Sequence, residues 1–323
     1  MAILVTGGAG YIGSHACKAL KHAGFTPIVY DNLSTGHRSF VKWGPLVIGD
    51  LRDLNRFRQT LQEYKPIGVL HFAASALVIE SMQHPGKYYE NNVYGTLNLL
   101  EAMREKVPYL VFSSTCATYG NPVFSPITEE HPQIPINPYG RSKLMVEQMI
   151  RDYPMNSVLL RYFNAAGADF DAEVGEDHNP ETHIIPSIIE VAMGKRKEIV
   201  VYGTDFPTPD GSAIRDYIHV EDLANAHVSA LQYLIEKNPS TYMNLGTGKG
   251  YSVLEMIREV EKVSKTTIPV RFEKKRAGEP SHLVASYKKA QEILKWEPRF
   301  STLPEIIESA WNWHNRCCIS HSC

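Results

Sequence analysis

The stretch Val5-Thr6-Gly7-Gly8-Ala9-Gly10-Tyr11-Ile12-Gly13 constrains the fold of this chain more than any other. A short apolar run, Ile3-Leu4-Val5, ends at it, and an amphipathic segment over residues 11–23 begins inside it. That order predicts a strand, a glycine turn and a helix. Gly8, Gly10 and Gly13 fit G-x-G-x-x-G, while Gly7, Gly10 and Gly13 also fit G-x-x-G-x-x-G. Glycine permits a tight turn and a close backbone approach to a pyrophosphate, whose charge is attracted to the free N–H groups of a helix N-terminus. The next strand pattern, Thr26-Pro27-Ile28-Val29-Tyr30-Asp31, ends in an acid. It stands about 20 residues on, where a carboxylate that holds an adenosine ribose is expected. The whole pattern predicts a dinucleotide site, and a ligand-free glycine turn is the alternative.

Behind that unit, short apolar runs alternate with helical spacing. Residues 45–48, 67–72, 109–112 and 157–162 read as strands, and 54–64, 88–106 and 138–153 as helices. Asp53 is placed to cap the first of these helices, and Asn137 with Pro138 to open the last. Repeated β-α units predict an α/β fold, a Rossmann-type doubly wound parallel sheet with ligands at the carboxyl ends of its strands. Asp31, Asp50, Ala73-Ala74-Ser75 and Ser113-Ser114-Thr115 all follow strand ends and would share one crevice.

Beyond residue 165 the texture becomes richer in Pro, Asp and Gly, most of all over 169–183. We therefore expect a nucleotide-binding domain over 1–165 and a smaller α/β substrate domain over 166–323, some segments of which return to the first. Helices are expected at 185–193, 220–234 and 253–263, with strands at 199–202 and 217–219. A second glycine cluster, residues 244–250, reads as a turn feeding a helix with a Ser252…Glu255 capping box, not as a second nucleotide loop.

The formal charge of −2 over 323 residues gives no electrostatic reason to expect nucleic acid or anionic lipid as a partner. No apolar run approaches the roughly 18 residues of a membrane span, and no signal-like segment precedes the first strand. A cytoplasmic protein without membrane or nucleic-acid partners is expected. Five cysteines, an odd number, argue against a disulfide framework. Cys17 is expected in the core. Cys317, Cys318 and Cys323 crowd the end of the chain with His314 and His321. They lack zinc spacing, so a solvated tail is expected there and no metal site anywhere.

Tyr139-Gly140-Arg141-Ser142-Lys143 sets a phenol and an ammonium on one helical face. A free tyrosine titrates near ~10, so a base at neutrality needs about three units of depression. A neighbouring ammonium and a positively charged nicotinamide ring both favour phenolate. A hydroxyl from Ser113-Ser114-Thr115 could bind the reacting oxygen and pass its proton to Tyr139.

With that pair, residues 6–13 resemble the extended short-chain dehydrogenase/reductase superfamily. Further stretches are Asp31-Asn32-Leu33, Asn91-Asn92-Val93-Tyr94-Gly95-Thr96, residues 113–120 and 138–147, and Arg161-Tyr162-Phe163-Asn164. Gly175-Glu176-Asp177, Arg215-Asp216-Tyr217-Ile218-His219-Val220 and Arg276-x-Gly-Glu279 complete the set. Together they are similar to the UDP-glucose 4-epimerase family, over residues 1–314.

The resemblance implies NAD as cofactor and a UDP-sugar as substrate. Gly7, Gly10, Tyr11, Ile12 and Gly13 would cradle the pyrophosphate. Asp31 would take the adenosine ribose, with Asn32, Leu33, Ser34, Thr35 and Gly36 nearby, and favour NAD over NADP. Asp50 and Leu51 would flank the adenine. Phe72, Ala73, Ala74, Ser75 and Ala76 would line the dinucleotide, with Asn91 and Phe163 close to it. Lys143 would hold the nicotinamide ribose and lower the pKa of Tyr139. Thr115 stands where the family commonly carries serine, and Ser114 is the alternative if the register shifts by one. Asn164, Arg215, Arg276 and Glu279 would hold the UDP-sugar, together with Tyr202. An ordinary ion pair is the other reading of the arginines. Thr182-His183-Ile184 replaces a stretch that often holds paired asparagines, so His183 and Ile184 are the candidates there. Leu283 would face the sugar C2 substituent, with a size between one that excludes N-acetyl groups and one that admits them.

The implied reaction is reversible C4 epimerisation through a 4-keto sugar, with NAD unchanged overall. Cys116-Ala117 follows Thr115, where a 4,6-dehydratase needs an Asp-Glu pair. A uronate epimerase or decarboxylase, and a non-catalytic NAD-binding protein, remain as alternatives. The resemblance also implies a homodimer formed through the helices at 88–106 and 138–153.

Overall fold

The apolar runs flanking the glycine loop lie side by side in a seven-stranded parallel sheet. From one edge to the other its strands are Thr241–Leu245, Asn156–Tyr162, Tyr109–Thr115, Gly68–His71, Ala2–Thr6, Thr26–Asp31 and Leu46–Ile48. In this computed structural model residues 1–104, 106–275 and 279–320 are described, with side chains only to 317 in the last segment. Alternate residues of each strand face opposite layers. Ile3, Val5, Leu70 and Val111 join one core with Leu20, Leu223 and Leu231. Leu4, Val69 and Leu110 join the other with Phe57, Leu99 and Val146. Each such side chain contributes about 1.5–3 kcal/mol by leaving water, and coverage on both faces makes these strands continuously apolar.

The order reverses at Ala2–Thr6, which has Thr26–Asp31 on one side and Gly68–His71 on the other. That reversal opens a crevice at the carboxyl ends of the strands. The glycine loop leaves one strand there and Phe72-Ala73 leaves the next. They approach so closely that a Cβ on Gly7, at φ +72°, would lie 2.6 Å from the Ala73 nitrogen.

The expected caps form. Asp53 accepts from the Arg56 N–H at 3.0 Å to start Leu54–Tyr64, and Asn137 accepts from the Gly140 N–H at 2.8 Å to start Pro138–Arg151. Ser252 and Glu255 make the capping box of Val253–Ser264.

Several expectations change. The helix expected at 88–106 begins at Pro85, passes through a π-helical turn over Tyr89–Tyr94 and ends at Met103. The extra residue in that turn brings Asn91 and Asn92 to the Ser75 loop. Asn244 and Leu245 close an edge strand of the main sheet before the expected turn begins. Helix Val220–Ile235 packs on Tyr11–His22. The C-terminal tail is helical over Leu303–Ser320. It is anchored because Trp313 is buried, donating to the Glu176 carbonyl at 3.0 Å, and Cys317 packs against Phe40, Ala168 and Val174. Cys17 is buried as expected. His321 and Cys323, and the side chain of Cys318, lie outside the described residues.

Asn164–Ala166, Ile214–His219, Gly250–Ser252 and His282–Leu283 form a four-stranded sheet, and Ile199–Tyr202 pairs with Val270–Glu273 in a second small one. Ile188, Met256, Val260 and Ile307 fill the core beside them. No described helix is long and apolar enough to cross a membrane.

Candidate active site

No side chain caps the helix Tyr11–His22, whose N-cap is Gly10. The first-turn N–H groups of Tyr11, Ile12 and Gly13 have no carbonyl within the helix to bond, which suits an anion. A Cβ on Gly13 would lie 2.2 Å from the Gly7 oxygen, so the turn tolerates no side chain. Asp31 closes the loop from behind: its two oxygens accept from the Ala9 N–H at 3.0 Å and the Leu33 N–H at 2.8 Å. Burial raises its pKa, and these two N–H groups oppose the shift.

Beyond Asp31, Asn32 bonds Asp50 at 2.9 Å and Ser34 donates its N–H back to Asn32 at 3.0 Å. Arg52 beside Asp50 holds that carboxyl well below the usual range. Thr35 lies in the same turn, Gly36 packs against the Ala9 backbone, and Leu51 is buried. The Tyr11 phenol donates to the Gly167 carbonyl at 2.6 Å, so its ring ties the loop to the second half of the chain.

Across the crevice, Phe72 lies against His227 with ring centroids 4.6 Å apart. Ala73 and Ala74 are half-buried and Ala76 is exposed. The Ser75 N–H donates to Asn92 at 2.8 Å, and the Asn92 amide donates to the Ser75 carbonyl and the Ser142 hydroxyl, each at 3.0 Å. Asn91 reaches the Ser75 hydroxyl at 3.2 Å. One loop, the π turn and the helix bearing Tyr139 are thereby locked together.

The half-buried Tyr139 phenol shares a hydrogen bond with Thr115, which ends its strand. Burial pushes the phenol above its ordinary pKa, nearby Tyr162 adds to that, and the Thr115 bond opposes it. Lys143 is buried and its pKa is lowered to about 7, chiefly by desolvation, with Glu147 opposing. The Ser114 hydroxyl turns to Glu147 at 2.5 Å, which leaves Thr115 as the hydroxyl at the phenol. Phe163 is buried with Tyr119 and Ile127, and Cys116 and Leu283 pack on this group. Burial drives the Cys116 thiol up to about 12.

Opposite this strand end, Leu283 pairs in register with Arg215. Arg215 donates to Glu279 at 3.0 Å, while Glu279 Oε2 is enclosed with no hydrogen-bond partner. Asn164 donates to the Asp216 carbonyl at 2.9 Å. His183 caps and Ile184 opens the helix Ile184–Ala192, and Tyr202 ends the strand Ile199–Tyr202, partly exposed. Arg276 lies outside the described residues.

The sequence profile of the NAD dependent epimerase/dehydratase family matches residues 3–246. The chain belongs to that family. A UDP-glucose 4-epimerase of Rhizobium meliloti is 52% identical over 97% of each chain. The crystal structure of the UDP-glucose 4-epimerase from Brucella ovis in complex with NAD superposes with a TM-score of 0.95, at 49% identity, covering 96% of this chain and 97% of that one. The Bifidobacterium longum enzyme in complex with NAD+ and UDP gives a TM-score of 0.91 at 38% identity, covering 98% of each chain.

The residues present fit the family's cofactor. An uncapped helix N-terminus, a glycine turn with no room for Cβ and a buried acid at the next strand end are what a dinucleotide needs. Sequence reasoning missed the support behind this family site. Arg161 forms a buried bidentate pair with Glu147, at 2.9 and 2.6 Å, and also donates to Tyr119 at 3.0 Å, which in turn bonds Asn244 at 2.6 Å. The signal was a lone arginine inside the apolar strand Leu159-Leu160-Arg161, where only a paired charge can be buried.

Proposed function

We propose that this chain interconverts UDP-glucose and UDP-galactose by inverting C4, a step of galactose metabolism in the cytoplasm. The observation that carries this reading is the hydrogen bond between Tyr139 and Thr115 at the carboxyl end of a strand in the nucleotide sheet. It joins a proton acceptor and a hydroxyl relay at the same carboxyl edge of the sheet as the glycine loop. NAD, when bound, would supply a hydride acceptor and donor and a positively charged ring. Tyr139 takes the C4 hydroxyl proton through or beside Thr115 and later returns it. Lys143, on the same helical face, holds the nicotinamide ribose and adds positive charge that favours phenolate.

Inversion requires the 4-keto sugar to present its other face while the nucleotide stays bound. Firm contacts are therefore needed on the UDP and few on the hexose. Asn164, Arg215, Arg276 and Glu279 take the UDP part, with His183, Ile184 and Tyr202 around it. Glu279 Oε2, enclosed and unpartnered, suits a ribose hydroxyl donor. Residues 1–165, with the edge strand Thr241–Leu245, hold NAD, and most of 166–323 holds the UDP-sugar.

The active form is a homodimer. Tyr94, Leu97 and Met145 expose 50%, 38% and 44% of their surface on the adjoining helices, an apolar face that a second copy would cover. The buried thiol of Cys17 and the half-buried thiol of Cys116 form no disulfide and suit a reducing compartment.

The test is direct. Purified protein given UDP-galactose yields UDP-glucose without added NAD. Absence of interconversion, or stoichiometric NADH release, overturns the proposal. Faster turnover of UDP-glucuronate moves the assignment to a uronate enzyme.

A further inference from the structure

The segment after the second half's first strand carries a cluster of which the proposed function uses only His183. The geometry points to a binding site for one zinc-type divalent ion, made by Glu176, His178, Glu181 and His183. Ligand atoms from these four residues all lie within 4.8 Å of one another. His178 Nδ1 stands 3.4 Å from Glu176 Oε1 and 3.5 Å from Glu181 Oε2. With metal–ligand bonds of about 2.1 Å, neighbouring donors of a tetrahedral site are about 3.4 Å apart. The 2.6 Å pair of His183 and Glu176 must open to admit an ion.

Two further observations favour an ion over simple ion pairing. His178 Nδ1 is enclosed and makes no hydrogen bond, although it faces both carboxylates. Both acids are buried, with side chains only 7% and 5% exposed, where negative charge needs a cationic partner such as a metal ion. The scaffold is also held from outside, as metal sites require. Glu181 Oε1 accepts from the N–H groups of Thr182 and His183, each at 2.7 Å, which leaves Oε2 for an ion. The Glu176 carbonyl is fixed by Trp313.

Two imidazole nitrogens with two carboxylate oxygens suit zinc or its neighbours, not the all-oxygen preferences of magnesium and calcium. The half-exposed His183 gives the ion a way in. The same segment touches the nucleotide side of the molecule, through His37 to the Asp177 carbonyl at 2.9 Å and the Tyr11 ring against His178. A bound ion therefore clips this segment over the glycine loop. Binding there needs neither NAD nor UDP-sugar, so its failure leaves the epimerase reading untouched.

The test uses the full chain with Cys317, Cys318 and Cys323 replaced by serine, which removes adventitious thiolate sites near the C-terminus. After incubation with zinc chloride and gel filtration, this protein retains one zinc per chain, and cobalt substitution gives the intense visible absorption of a tetrahedral site. His178→Ala and Glu181→Gln, each with unchanged circular dichroism, lower zinc affinity by more than about 100-fold, beyond the effect of losing an outer partner. Zinc also raises the thermal midpoint of the parent and not of either variant. No retained metal, or equal retention in the folded His178→Ala variant, overturns the proposal.

Discussion

The Lys143 ammonium donates to the main-chain oxygen of Ser113 at 2.8 Å, two residues before the hydroxyl that meets Tyr139. The strand end and the helix face are thus tied by a buried cation, which also lies 4.8 Å from the Phe112 ring centre. Burial alone disfavours that cation. Lys143→Met is therefore expected to lower kcat by about 10²–10⁴, the usual worth of positioned proton-transfer machinery, while chain stability changes by less than about 2 kcal/mol. Steady-state kinetics beside urea denaturation tests this, and a parallel collapse of both would show that Lys143 is chiefly structural.

The Glu147–Arg161 pair is fully buried, with side chains 0% and 1% exposed. Removing one partner strands a charge, so Glu147→Gln is expected to cost about 3–5 kcal/mol in urea denaturation. The double variant Glu147→Gln, Arg161→Met should recover most of that. A double variant no more stable than the single one would mean that the pair's hydrogen bonds to Ser114 and Tyr119 matter more than its charges.

Much of this site was legible because local chemistry dictated it. Gly7 and Gly13 answer to backbone contacts that no side chain survives, and Asn137 and Asp53 to helix ends that need a cap. The π turn at Tyr89–Tyr94 was not legible, because helical periodicity does not register one inserted residue and the Asn92–Ser75 contact exists only after folding. The strand Thr241–Leu245 was hidden for another reason. Its pairing with Asn156–Tyr162 spans some eighty residues, and its polar end, Asn244, is satisfied only by Tyr119, Glu129 and Ile127 from elsewhere. The pKa of Tyr139 was expected to fall beside Lys143. In the folded chain burial raises it, and burial likewise lowers the pKa of Lys143, so the depression falls to the positively charged ring of bound NAD.

In the proposed function Glu279 and Arg215 act on the nucleotide and not at C4. Glu279→Ala should raise KM for UDP-galactose by about 10–100-fold, the loss of one charge-assisted hydrogen bond, with kcat within a few-fold of the parent. Initial-rate kinetics separates the two parameters. A fall in kcat with unchanged KM would place Glu279 at the sugar instead.

Leu283 packs beside Cys116 and Phe163 and is paired with Arg215. Its intermediate volume leads us to expect slow turnover of UDP-GlcNAc, and loss of that turnover in Leu283→Tyr with UDP-galactose activity retained. Chromatographic assay of both substrates decides it. No product from UDP-GlcNAc in the parent removes Leu283 as a gate.

Acid should unfold this protein early. His15, His71, His219 and His227 are pushed down to about 4, 3, 3 and 4, in each case first by burial. In the unfolded chain they titrate near ~6.5. The unfolded state therefore binds protons first, so the stability these groups preserve is complete above that pH and drains away as pH falls. Each contributes a slope of up to about 1.4 kcal/mol per pH unit. Glu221, raised to about 8 by burial and by Asp169, works in the opposite direction and cancels one of the four. A net loss of about 4 kcal/mol per pH unit is expected between pH ~6 and ~4.5, enough to exhaust an ordinary stability of about 5–15 kcal/mol within a few units. Urea midpoints at intervals through this range measure the slope. His227 offers the sharpest variant, because its Nε2 is buried without a partner and its ring lies against Phe72 and Tyr162. His227→Phe should flatten the slope by about 1.4 kcal/mol per pH unit. An unchanged slope would mean that this imidazole stays neutral in the unfolded chain as well, or gains a proton while folded, and would remove burial as the cause of acid lability.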